Sequence, residues 1–190
     1  MSWTPTESQA RVLDADTDLL VVGRPGTGKT TVALAKAAGF VERNLKPHQQ
    51  VLFISFSNAA VQRIQASARL GLPRSVRTRI QILTFHGLCY QFLRAHARRA
   101  GIPSPFSLLP PEAEKIIRVT EKDGAEAEFA RIEREEGRVR FDRFGPLTLE
   151  ILTRHPVLRR AYTDAHPLIV VDEYQDTDDV QDELAELLGR

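Results

Sequence analysis

The chain has 190 residues, 42% hydrophobic and 27% charged, with 11 Gly and 11 Pro, the make-up of a globular domain with one core and at most a small insertion. One cysteine, Cys89, excludes a disulfide framework and any cysteine-rich metal site, so a reducing compartment, the cytoplasm, is expected. The net charge of +1 is unevenly spread: residues 1–42 carry −1, residues 43–111 carry +10 without a single acid, and residues 112–190 carry −8.

Nine of the ten middle cations are arginine, a side chain suited to forked contacts with phosphate. A polyanion partner and a solvated surface paired with the acidic C-terminal third are both open on charge alone. The N-terminus has no basic flank followed by an apolar stretch, and no apolar run approaches the length of a membrane span. Neither secretion nor membrane insertion is expected.

Residues 19–22, 51–56, 80–85 and 168–171 are short, continuous, Val/Ile/Leu-rich runs that read as buried parallel strands. Each is followed by a segment with helical spacing: 30–41, 59–70, 87–100 and 180–188. Asn58 and Asp179 precede the second and last of these as N-caps. Strand followed by helix, repeated, predicts a three-layer α/β fold with a parallel sheet. That rhythm breaks between residues 101 and 161, a stretch with a Pro-rich entry and a charged helix carrying an Arg131/Glu135 pair at i,i+4. It reads as a helical insertion with a solvated face, after which Phe141, Phe144, Leu147, Leu149, Ile151 and Leu152 dock the chain back on the core.

Between the first strand and first helix, Gly23, Gly28, Lys29 and Thr30 fit the pattern G-x(4)-G-K-[ST]. Such a loop wraps a polyphosphate with backbone N–H groups, here those of residues 23–31, while the following helix aims its positive end at the same phosphates. Pro25, Gly26, Thr27 and Thr31 complete the cradle. Arg24 is either a charge stabiliser or a solvent-facing loop residue. Lys29 would reach the β- and γ-phosphates of ATP, and the Thr30 hydroxyl would hold Mg2+. After the fourth strand, Asp172 and Glu173 emerge at the carboxyl edge of the sheet, where the loop also sits. Asp172 can bind Mg2+ through water, and Glu173 can orient or deprotonate the water that attacks the γ-phosphate.

Taken together these stretches resemble superfamily 1 DNA helicases of the UvrD/Rep/PcrA type. GRPGTGKT resembles motif I, and DEYQDT at 172–177, followed by Gln181, resembles motif II. FISFSNAA at 53–60 resembles motif Ia, LTFHGL at 83–88 resembles motif Ib, and Gln9 resembles the Q-motif glutamine that reads adenine. The resemblance implies a RecA-like core and a single-stranded DNA track near Phe56, Ser57, Asn58, Thr84, Phe85 and His86. Phe85 could equally be core packing, and His86 a link between that track and the nucleotide site.

The chain departs from the family at Thr31, where Arg is frequent, and at Ala59, where Lys is frequent. The implied division is an ATP-binding lobe (1A) over 1–100 and 162–190 with a reduced 1B-like insertion over 101–161. The sequence stops one helix after motif II, so a second RecA-like lobe and its arginines are expected to be absent and translocation by this chain alone is not expected. The resemblance implies an ATP-dependent, 3'–5' translocating DNA helicase for the parent. A P-loop enzyme of another class, such as a small-molecule kinase, and a non-catalytic nucleotide- or DNA-binding module remain alternatives.

Overall fold

The computed structural model describes residues 4–189. In chain order the elements are α1 (Glu7–Asp14), α2 (Lys29–Arg43), β1 (Val51–Ser55), α3 (Asn58–Gly71), α4 (Arg74–Arg77), β2 (Ile80–Thr84), α5 (Phe85–His96), β3 (Ser107–Leu108), α6 (Pro111–Thr120), α7 (Ala125–Glu136), β4 (Arg138–Val139), α8 (Phe144–Arg154), α9 (Pro156–Ala165), β5 (Leu168–Val171) and α10 (Asp179–Gly189), with 3-10 turns at Ala97–Ala100, Lys122–Gly124, Phe141–Arg143 and Tyr174–Asp176. The chain forms two compact units, one of residues 1–84, 162–176 and 188–190, the other of 85–161 and 177–187.

The first unit is built on a parallel sheet of order β2-β1-β5. β1 is buried along its whole length, as a continuous apolar run at the centre of a parallel sheet should be. Its register pairs Val51 with Ile80 on one side and with Leu168 on the other. Val51 and Phe53 join Leu34 and Ala37 of α2, Ile64 and Ala68 of α3, Val76, Ile80 and Ile82 in one apolar cluster. The helices exist because their small and aliphatic residues recur at helical spacing and lie on this sheet.

The strand expected at 19–22 is not formed. Residues 19–22 have no strand pairing among the described residues, and Leu19, Leu20, Val21 and Val22 are 49, 74, 42 and 86% exposed. Apolar character alone does not make a strand: the run joins no ladder, although β5 keeps an edge that no described strand pairs. Two caps also move by one residue. Ser57, not Asn58, caps α3, its Oγ accepting the Ala60 N–H at 3.1 Å. Asp178, not Asp179, caps α10, its Oδ1 accepting the Gln181 N–H at 2.8 Å.

In the second unit, Leu109, Ala125, Phe129 and Ile132 form a small core under α6 and α7, and β3 pairs with β4 in parallel. The Arg118 and Arg140 guanidinium groups lie 5.0 and 4.4 Å from the centroid of the Phe129 ring. The expected Arg131–Glu135 pair forms at 2.9 Å and is joined by Glu128 and Glu136. Aromatic packing by Tyr90, Phe106 and Phe144 ties α5 and α8 together.

Candidate functional site

Three glycines shape the loop, Gly26 among them with φ +80°. Gly28, directly before α2, has φ +82°, in the left-handed region that favours glycine. A Cβ on Gly23 would stand 2.8 Å from the Thr27 hydroxyl, which itself donates to the Arg24 carbonyl at 2.9 Å. Inside this turn the Lys29 ammonium donates to the Gly23 carbonyl at 2.9 Å. The next residue, Thr30, donates its hydroxyl to the Asp172 carboxylate, 3.2 and 3.3 Å from the two oxygens. Arg24, Pro25, Gly26 and Thr27 are exposed, and so is Thr31.

Asp172 extends the pairing of β5, its N–H donating to the Ile54 carbonyl of β1 at 2.9 Å, which fixes where its side chain begins. It is 9% exposed. Burial raises its carboxyl above the ordinary value and Glu173 adds to this, while the Thr30 hydroxyl and the Lys29 ammonium oppose it. Glu173 has φ +55°, uncommon for a side chain with a Cβ. Its carboxylate accepts from the Gln175 amide at 2.6 Å, so the strained turn and this bond together aim it.

Gln9 is wedged between two partners. Its Oε1 accepts the Thr6 N–H at 2.9 Å, half of the capping box that starts α1, and its Nε2 donates to the Thr27 carbonyl of the glycine loop at 3.2 Å. Gln181, quoted with DEYQDT, serves as the partner of the Asp178 cap.

Register aligns the other candidates along the same edge. Ser55 is level with Thr84, so Phe56, Ser57 and Asn58 after β1 lie beside Thr84 at the end of β2, with Asp172 on the opposite flank of β1. Ser57 and Asn58 are exposed and Phe56 is half-buried. The Ser57 oxygen serves the α3 cap, leaving its hydroxyl proton to donate.

In the second unit Phe85 is 2% exposed, and of the three ring-bearing candidates it is the one that offers no face to a base. His86 stacks on Phe141, centroids 4.0 Å apart and planes 10° from parallel. Burial lowers its pKa below the ordinary value, against the pull of Asp178. Phe141 is 52% exposed. Sequence reading gave it only a docking role; its place between charged residues, in Arg140-Phe141-Asp142-Arg143, was the available signal that it is not simple core.

None of the ten cations of residues 43–111 makes an ion pair among the described residues. No described helix is long and apolar enough to cross a membrane.

A parallel α/β sheet whose carboxyl edge joins a GxxxxGKT turn to an Asp-Glu pair defines the class: an α/β domain with a phosphate-loop sequence. A sequence model of the UvrD/REP helicase N-terminal domain matches residues 3–136 and 123–190, and the chain belongs to that family. It is 27% identical over 171 residues to the ATP-dependent DNA helicase PcrA of Staphylococcus epidermidis, covering 90% of this chain and 23% of that protein. To the PcrA helicase of Staphylococcus aureus it is 29% identical over 113 residues, covering 59% of this chain and 15% of that one. The chain thus spans less than a quarter of the length of these relatives.

Proposed function

We propose that the chain is the ATP-binding lobe of a DNA-dependent ATPase that translocates 3'–5' on single-stranded DNA. The lobe is a RecA-like, three-layer P-loop core over 1–100 and 162–190, carrying a short 1B-like insertion over 101–161. It works in the cytoplasm with a second lobe of the same kind. The observation that carries the reading is the contact between Thr30 and Asp172, which joins the glycine turn to the acid pair.

The roles follow from the chemistry of each side chain. The backbone of 23–31 cradles the phosphates, and the Lys29 ammonium exchanges the Gly23 carbonyl for β- and γ-phosphate oxygens. Gln9, held at Thr27, presents its remaining amide capacity to the adenine edge. Thr30 and Asp172 are hard oxygen donors and suit Mg2+, which keeps much of its shell as water and phosphate oxygen. When bound, the ion neutralises charge on the transferring phosphate. Glu173 orients the attacking water and takes its proton as oxygen bonds to the γ-phosphorus and the bond to ADP breaks.

Phe56, Ser57, Asn58 and Thr84 of the first unit, and Phe85 and His86 of the second, are the residues assigned to single-stranded DNA. Ser57 and Thr84 hydroxyls serve phosphates, and the His86–Phe141 stack offers an aromatic surface to a base.

Binding of a fluorescent ATP analogue, read by anisotropy, tests the nucleotide half. Lys29→Ala is expected to weaken binding, and Glu173→Gln to keep it while removing single-stranded-DNA-stimulated hydrolysis in the full-length parent. Normal hydrolysis by E173Q, or phosphate transfer to a metabolite indifferent to DNA, would overturn the reading.

A further inference from the structure

The track proposed above uses the carboxyl edge of the sheet, yet most of the unpaired cations of the first unit stand at the other edge. α2 leaves the carboxyl edge at Lys29 and runs 15 residues to Arg43, roughly 20 Å away. α3 leaves the same edge at Asn58 and ends at Gly71, bringing Arg69 down with it. α4 is a single turn packed against α2 and α3, and it precedes the amino end of β2. Lys46 and Arg79 precede the amino ends of β1 and β2, where Arg79 donates to the Lys46 and Gln49 carbonyls.

Six cations, Arg43, Lys46, Arg69, Arg74, Arg77 and Arg79, therefore gather at the amino edge. The acids of this edge are Glu42 and Asp164, and neither makes an ion pair among the described residues. The contrast within the chain is informative. Between Glu114 and Arg154, by comparison, Arg118, Arg131, Arg138, Arg140, Arg143 and Arg154 each lie within ion-pair distance of a carboxylate. Six cations against Glu42 and Asp164 leave an excess of like charge that repels itself and lowers stability, a burden that an anionic partner relieves.

We propose that this amino edge is a second nucleic-acid surface, which grips the sugar-phosphate backbone with Arg69, Arg74 and Arg77 at its centre. It goes beyond the track at the carboxyl edge and needs no part of it. The α4 turn is rigidly seated: Val76, 6% exposed, plugs it into the core, and the Thr78 hydroxyl donates to the Arg74 carbonyl at 3.0 Å. Arg74 and Arg77, three apart on that turn, stand side by side as a pair of forks. A protein partner would need apolar or aromatic anchors at the centre of its contact. On these elements the one large apolar side chain left exposed is Leu70, 92% exposed, and there is no exposed aromatic. A backbone of regularly spaced phosphates needs cations alone.

The test is anisotropy of a labelled 20-base-pair DNA duplex titrated with this chain over a salt series. Arg69→Glu/Arg74→Glu/Arg77→Glu is expected to weaken binding at least about tenfold at low salt and to flatten the slope of log K against log salt by about 2. The neutral triple Arg→Gln variant, checked by an unchanged melting temperature, is expected to give the same flattening. Independently of any variant, a photo-crosslinkable duplex on the wild-type chain is expected to label residues 69–79. Unchanged slopes in both triple variants, equal competition by polyglutamate, or absence of binding by the wild type overturns the proposal. Crosslinks confined to 53–60 and 83–88 also overturn it and leave the carboxyl-edge track standing. Crosslinks at 69–79 in a chain that binds no ATP analogue keep it and sink the ATPase reading.

Discussion

The Thr30 hydroxyl donates to the Asp172 carboxylate at 3.2 Å across 142 positions of sequence. Neither residue is placed by its near neighbours alone. Thr30 is set by the first turn of α2 and Asp172 by the β5–β1 ladder, so the contact reports that helix and sheet are in correct register.

Thr30→Ala is expected to remove the gain that Mg2+ gives to ATP-analogue affinity, by about tenfold or more, while leaving metal-free binding unchanged. Asp172→Asn should do the same, since its carbonyl oxygen can still accept from Thr30. Asp172→Ala leaves the hydroxyl without that acceptor and is expected to lower unfolding free energy by about 1–3 kcal/mol in urea titration. Equal Mg2+ dependence in T30A and wild type would remove Thr30 from the metal site.

Gly28→Ala places a Cβ at φ +82° and 3.4 Å from the Gln9 amide nitrogen. The left-handed conformation costs about 1–2 kcal/mol for a residue with a Cβ. Chemical denaturation should show that loss, and ATP-analogue binding should fall with it because the loop must open to relieve the strain. A variant as stable as wild type would refute the loop geometry.

Acid should destabilise the chain before the carboxylates titrate. Burial holds His86, His96 and His166 below their ordinary value of 6.5, assisted at His96 by Arg99 and opposed at His86 by Asp178 and at His166 by the Tyr162 carbonyl. Their unfolded forms bind protons more readily, so the stability they confer is complete above the ordinary value and drains away as pH falls through it. Asp172, with its carboxyl raised, contributes in the opposite sense at lower pH. Urea midpoints at about pH 7.5 and about pH 5.5 should differ, the lower midpoint at the lower pH. His166→Gln should narrow the difference.

Cys89 is 1% exposed, and burial pushes its thiol up to about 11. A thiolate-directed alkylating agent should therefore leave it unmodified in buffer and modify it fully in denaturant. Rapid labelling of the native chain would show that α5 opens freely.

Where local pattern suffices, the sequence is a good guide. α2, α3 and α10 lie within two residues of their expected bounds because small and aliphatic side chains recur at helical spacing and the glycine, serine and aspartate before them end the preceding loop. Ser57 and Asp178 displaced Asn58 and Asp179 as caps because adjacent polar residues compete and only backbone angles decide between them. The run at 19–22 reads as a strand, yet it joins no ladder although β5 keeps an open edge, so apolar character alone does not decide the pairing. The glycine turn and the Asp-Glu pair were visible as motifs, yet the strained Glu173, the pinned Gln9 and the His86–Phe141 stack depend on distant partners and could not be read from spacing.

β5 offers a second edge that no described strand pairs, and the chain also exposes the aliphatic run at 19–22. Unsatisfied ladder groups and bare aliphatic surface are what edge-to-edge growth feeds on. Handled at high concentration and in salt strong enough to screen its arginines, the polypeptide will form oligomers whose light scattering rises with concentration; charged replacements at Leu20 and Val22 should keep it monomeric, making these two side chains the practical handle on its solubility.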